Sequence, residues 1–127
     1  MQSEKAALLA DYLAPRVDDC CSAILSALPP EFAERSRLLV REWFERLVDG
    51  LRGRPDRANE LAVLLSELVR TMGLGVDAAL DLLQRARHAM VALSLGKITG
   101  LADADVFETA LEFEERYRHH VADYFTQ

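Results

Sequence analysis

Residues 76–126 read VDAALDLLQRARHAMVALSLGKITGLADADVFETALEFEERYRHHVADYFT. Two helix-periodic segments, 76–97 and 103–125, flank a short turn at Gly100. At 1.5 Å per residue the first predicts a helix about 33 Å long. A short turn between two long helices makes them antiparallel neighbours. The second segment puts Val106, Phe107, Ala110, Phe113, Tyr117, Val121 and Tyr124 on its apolar side, and Asp103 can cap its start.

The same period extends toward the N-terminus. Leu61, Leu64, Leu65, Leu68 and Met72 form an i, i+3, i+4, i+7 stripe, with Asp56 as its cap and Gly73 as its C′ residue. The helix before it shows a broad apolar face of Leu39, Val40, Trp43, Phe44, Leu47, Val48 and Leu51. Trp43 and Phe44 are its expected core anchors. Its polar face carries Arg37, Arg41, Glu45 and Asp49, with Arg41 and Glu45 spaced to pair at i,i+4. Pro30 and Glu31 suit its first turn, and Gly50, Gly53 and Pro55 close it. The first segment, 3–28, begins at a Ser3 cap. It carries Leu8, Leu9, Tyr12 and Leu13, then Val17, Cys20, Cys21, Ile24 and Leu28, with a break expected at Pro15.

Composition agrees with an all-α chain. Leu occurs 21 times and Ala 18 times but Ile only twice, and helices favour the first two while strands favour β-branched residues. The 127 residues fit one helical domain over 1–127. Half the residues are apolar and 28% are charged, a globular balance. The net charge of −6 argues against a nucleic-acid partner, since such binding needs basic surface to replace counterions. No uncharged apolar run approaches the roughly 20 residues of a membrane span, and the first residues, MQSEKAALLADYLAPR, lack the apolar core of a secretory signal. No membrane partner is expected. Two adjacent cysteines point in different directions on a helix, so a reducing, cytoplasmic setting is expected.

Sites of known chemistry are sparse in the sequence. There is no phosphate loop, G-x-G-x-x-G, C-x-x-C or H-E-x-x-H. No nucleophile–base spacing suggests catalysis, and no cofactor or metal is expected. His88 shares a polar stripe with Asp77, Asp81 and Gln84. A solvated histidine is the plain reading and a phosphotransfer histidine the sharp one. Phosphotransfer domains place Lys and Gly three and four residues later, where this chain has Val91 and Ala92. His119 lies on the stripe Glu108, Glu112, Glu115, His119, Asp123, a solvated face that also suits a pH-responsive or weak metal-binding element. His120 aligns with Phe113, Tyr117 and Tyr124. Residues 103–127 hold seven acids against Arg116 and Arg118, a solvent-facing or partner-facing acidic strip.

The stretches REWFERLVDGL (41–51) and MGLGVDAALDLLQRARHAMVAL (72–93), with the Leu-rich helix between them, resemble the N-terminal sensor domain of RsbR-type stressosome proteins. The resemblance spans about residues 32–124. Trp43 stands where that family has a Trp in an early helix. Gly75-Val76-Asp77-Ala78-Ala79-Leu80 matches its Gly followed by an acidic-apolar helix start. The resemblance implies a globin-like, usually haem-free, dimeric domain. It would be the N-terminal part of a longer cytoplasmic stress-signalling protein with a STAS output domain. The threonines phosphorylated in that family belong to the output domain, so none is carried over.

The expected function is therefore a non-enzymatic sensory or regulatory module that passes a signal to an output or stressosome-type partner domain. The alternatives are a haem or small-ligand-binding globin-type sensor, and a helical adaptor or histidine phosphotransfer protein. No histidine lies between Trp43 and Gly75, where a globin's proximal ligand would fall. A homodimer is expected from the apolar breadth of 76–97. Val76, Leu83, Met90 and Leu93 form one stripe, and Leu82, Ala89, Ala92 and Leu95 extend it. With Phe113, Tyr117, His120 and Tyr124 they would build an intermolecular four-helix bundle.

Overall fold

Pro15 cannot donate a backbone hydrogen bond, and the first helical stretch divides there. The computed structural model of the chain describes residues 2–26, 28–52 and 57–126. Helix α1 is Gln2–Leu13 and α2 is Val17–Leu25, joined by one 3-10 turn at Ala14–Arg16. Arg16 closes the break. Its guanidinium donates to the Tyr12 carbonyl at 2.7 Å and lies 3.8 Å over the Tyr12 ring. Helix α3 spans Pro30–Leu51, α4 Arg57–Thr71, α5 Val76–Ser94 and α6 Asp103–Thr126, with no strand among the described residues. The fold is all-α. None of these helices is long and apolar enough to cross a membrane, within the described residues. The side chains of Ser3 and Leu61, the Asp56 cap and the closing residues Gly53 and Pro55 lie outside the described residues.

The helix ends follow from local chemistry. Pro30 occupies the first turn of α3, and the amides of Phe32 and Ala33 donate to the Pro29 carbonyl at 2.9 and 3.0 Å. At the end of α4, Gly73 takes φ +73°. The Leu74 amide donates to the Val69 carbonyl and the Gly73 amide to the Arg70 carbonyl, both at 2.9 Å. This is the Schellman pattern, with glycine at C′. Helix α5 ends at Ser94, three residues before the expected 97, because Leu95 turns to ψ 127° and Gly96 takes φ +70°, a turn closed by the Lys97 amide donating to the Ser94 carbonyl at 3.1 Å. Asp103 accepts the Gly96 amide at 2.8 Å, so its carboxylate ties the turn instead of capping its own helix. Farther into both helices, Arg87 of α5 meets Glu114 of α6, which fixes them as an antiparallel pair.

Helix α5 touches α1, α2, α4 and α6. Its Ala79, Leu82, Leu83, Ala86, Ala89, Met90 and Val91 are all buried. The expectation that one copy covers only one side of this helix is thus corrected. Leu83, Met90, Phe113 and Tyr117 are buried inside a single chain and have no surface to give a second copy. Four neighbouring helices supply the cover that the dimer was expected to supply. Val76, Leu93, His120 and Tyr124 are half-buried at the rim, and Ala92 is exposed. The Arg41–Glu45 pair forms at 3.1 Å, and Arg41 also reaches Asp18 of α2 at 3.1 Å.

Trp43 and Phe44 are buried in the core, their rings 5.1 Å apart edge to face. The penultimate residue of α3, Gly50, remains within the helix and faces α6. A Cβ at Gly50 would stand 2.3 Å from the Tyr117 hydroxyl oxygen and 3.4 Å from the Phe113 ring. Tyr117 is buried, so its ring has little room to retreat. Glycine here is a steric requirement of the α3–α6 approach.

Gly50→Ala should therefore destabilise. A glycine replaced by alanine gains about 0.5–1 kcal/mol in mid-helix and less in the last turn, where Gly50 lies, while overpacking costs about 1–3 kcal/mol. Urea denaturation should show a net loss of about 1–2 kcal/mol. In a Tyr117→Phe background, which removes the offending oxygen, the same change should be neutral or stabilising. A stabilised single variant would contradict the tight contact.

Candidate functional site

Each histidine singled out from sequence sits at or near the surface. His88 is exposed, as are Asp77, Asp81 and Gln84, and Asp81 is held by Arg85 at 2.8 Å. His119 is exposed on α6 beside Glu115, while Glu112 is half-buried. No group of three or more His, Cys, Asp or Glu among the described residues is placed to hold a metal. His120 is half-buried with its ring centroid 6.3 Å from that of Tyr117. Burial of Tyr117 pushes its phenol above the ordinary value.

Both cysteines are buried free thiols on α2. Burial pushes Cys20 up to about 12 and Cys21 up to about 11. The nearby charges of Asp19 and Asp18, respectively, act in the same direction. Such thiols remain protonated at neutral pH and are poor nucleophiles.

The most organised polar feature is Glu114, which the sequence shows only as one acid among seven on its helix. Its side chain is 3% exposed. One carboxylate oxygen accepts Arg87 Nε from α5, and the other accepts an Arg118 guanidinium N–H at 3.2 Å. A buried carboxylate needs this pairing, since an isolated buried charge is very costly. The cluster floors a cleft of about 360 Å³ between α5 and α6, lined by Gln84, Arg87, Leu111, Glu114, Glu115, Arg118 and His119. With both oxygens engaged by guanidinium groups, Glu114 is a structural anion and holds α5 to α6. The local signal was the i,i+4 spacing of Glu114 and Arg118. Arg87, 27 residues away, gives none.

The α6 stripe running through this cleft also departs from expectation. Phe107, read as core-facing, is 50% exposed, and Leu111 beside it is 45% exposed. A second opening of about 330 Å³ lies between α3 and α4, lined by Arg46, Glu60, Val63 and Leu64. Arg46 spans it, pairing with Glu60 at 2.5 Å and Glu42 at 2.8 Å. Comparison with protein-family models, with curated proteins and with solved structures finds no match.

Glu114→Gln should lower stability by about 2–3 kcal/mol, because it removes the charge that pairs Arg87 and Arg118 and sets an amide NH2 against one of the two guanidinium donors. The lower part of the buried-pair range applies, since both arginines reach water. Denaturant unfolding checks this, and a change below about 0.5 kcal/mol would mark the contact as an ordinary surface pair.

The thiols predict a pH dependence. In the unfolded chain they ionise near 9, whereas in the fold they stay neutral to about 11 and 12. Folded protein thus holds more protons in that window, and stability should fall as the pH rises from 9. At pH 8, thiol reagents should label native protein only as fast as it opens. Fast labelling without unfolding would contradict their burial.

Proposed function

We propose that the chain is a non-enzymatic sensory or regulatory module of the kind the RsbR-type resemblance implies. In this reading a change in packing around α5 passes to α6 and onward to an output or stressosome-type partner. The observation that carries it is the Arg87–Glu114–Arg118 contact. Helix α5 is enclosed by four other helices, so disturbance at any of them reaches it. Besides shared apolar core, its tie to α6 includes the ionic Arg87–Glu114 contact, which borders water and is braced by Arg118 from within α6. Such a contact can be made or broken, and that is the discrete kind of element through which coupling travels. The stretches behind the resemblance, 41–51 and 72–93, fall mainly on α3 and α5, which also form much of the core.

Hydrogen exchange tests the transmission directly. Arg87→Gln, which removes the α5 partner of Glu114, should raise exchange in 115–126 about tenfold, a local loss of about 1.4 kcal/mol. Protection in α2 and α3 should hold, and Arg85→Gln should change neither region. Uniform loss across the chain, or no difference from Arg85→Gln, would overturn the role of the contact. Added haem should give no Soret band, and acetyl phosphate should leave His88 unmodified. Either signal would move the domain to the globin-sensor or phosphotransfer reading.

A further inference from the structure

Helix α6 carries two large apolar side chains in water one turn apart. Phe107 is 50% exposed and Leu111 is 45% exposed, at i,i+4 spacing on one stripe. Leu111 is also a wall of the α5–α6 cleft. On the neighbouring stripe of α6 lie the exposed Glu108 and Glu115, two turns apart. Among the described residues neither makes a direct ion pair; Lys5 bonds to Asp105 instead. Inside the cleft the single Glu114 carboxylate stands between Arg87 and Arg118, and Glu115 at the wall makes two acids to two arginines, so the surplus acid beside the apolar pair is Glu108.

We propose that Phe107, Leu111 and the adjoining cleft form a docking surface for a basic amphipathic helix of a different protein. The groove between two packed helices accepts a third helix by ridge-into-groove contact. Apolar side chains at i,i+4 on the partner cover Phe107 and Leu111. Lysine or arginine beside them faces Glu108 and Glu115. Charge decides against a second copy of this chain. Residues 103–127 carry seven acids and two arginines, so a two-fold contact here sets one acidic helix against another. Anionic lipid is disfavoured by the same charge.

The partner's chemistry deepens the signalling reading and rests on it only for purpose. The surface stands on its own exposed side chains, so peptide binding and hydrogen exchange at the ionic contact fail independently. The probe is a fluorescein-labelled helical peptide of leucine and lysine, with leucine on one stripe, measured by anisotropy. It should bind the intact domain, and a leucine–glutamate counterpart should not. Phe107→Ser with Leu111→Ser should weaken binding about tenfold or more, equal to about 1.4 kcal/mol. Glu108→Gln with Glu115→Gln should weaken it and flatten its salt dependence. Leu38→Ser, at an 80% exposed position on α3, should leave it unchanged. All these sites are exposed, and circular dichroism verifies that each variant folds. Equal binding of the glutamate peptide, no effect of the Phe107/Leu111 pair, or equal weakening by Leu38→Ser would overturn the proposal. So would self-association, or binding to anionic vesicles, that the Phe107/Leu111 change abolishes.

Discussion

Helix α5 is apolar over much of its circumference, and all of it but the exposed stripe of Asp77, Asp81, Gln84 and His88 must be kept from water. That requirement organises the domain. One apolar side is met by α6 through the turn at 95–102, others by α2 and α4, and α1 covers part of the rest. Small side chains make the crowding possible. Ala79 and Ala86 are fully buried on α5 and let neighbouring helices approach closely. Gly50 does the same for α3 against Tyr117 of α6. Trp43 and Phe44 then fill the space that these approaches enclose.

The polar features follow from this arrangement. Once α6 lies along α5, the stripe of α6 at the edge of their contact is neither fully core nor fully surface. Glu114 falls there and is buried, so it draws in one arginine from each helix. Phe107 and Leu111 fall on the same stripe nearer the turn and remain half in water. The surface ion pairs, such as Asp11–Arg52 at 2.9 Å and Lys5–Asp105 at 2.8 Å, join exposed groups and add little to stability. They dress a fold that apolar burial has already determined.

Features governed by neighbours in sequence were legible before the structure. Pro15 marked a break, Gly73 a helix end, and Arg41 with Glu45 a pair, because each depends on residues within one or two turns. The stripes around Trp43 and Leu65 were legible for the same reason. The breadth of α5's apolar surface was also readable, but its cover was not. Periodicity states that a face must be buried and is silent on whether the same chain or another buries it. Glu114 looked like one more solvated acid, since Arg87 reaches it from another helix. Phe107 looked like core because an apolar stripe does not reveal where its edge leaves the packed region. Asp103 had the chemistry of a cap, and the positive φ of Gly96 turned an amide toward it instead.

The most direct test of this account is the behaviour of Met90→Glu, followed by circular dichroism and sedimentation at micromolar concentration. Met90 is buried at the centre of a single chain, so an unpaired carboxylate there should abolish cooperative folding. A well-folded Met90→Glu monomer, derived from a wild type that sediments as a dimer, would show instead that this face of α5 is covered by a second copy.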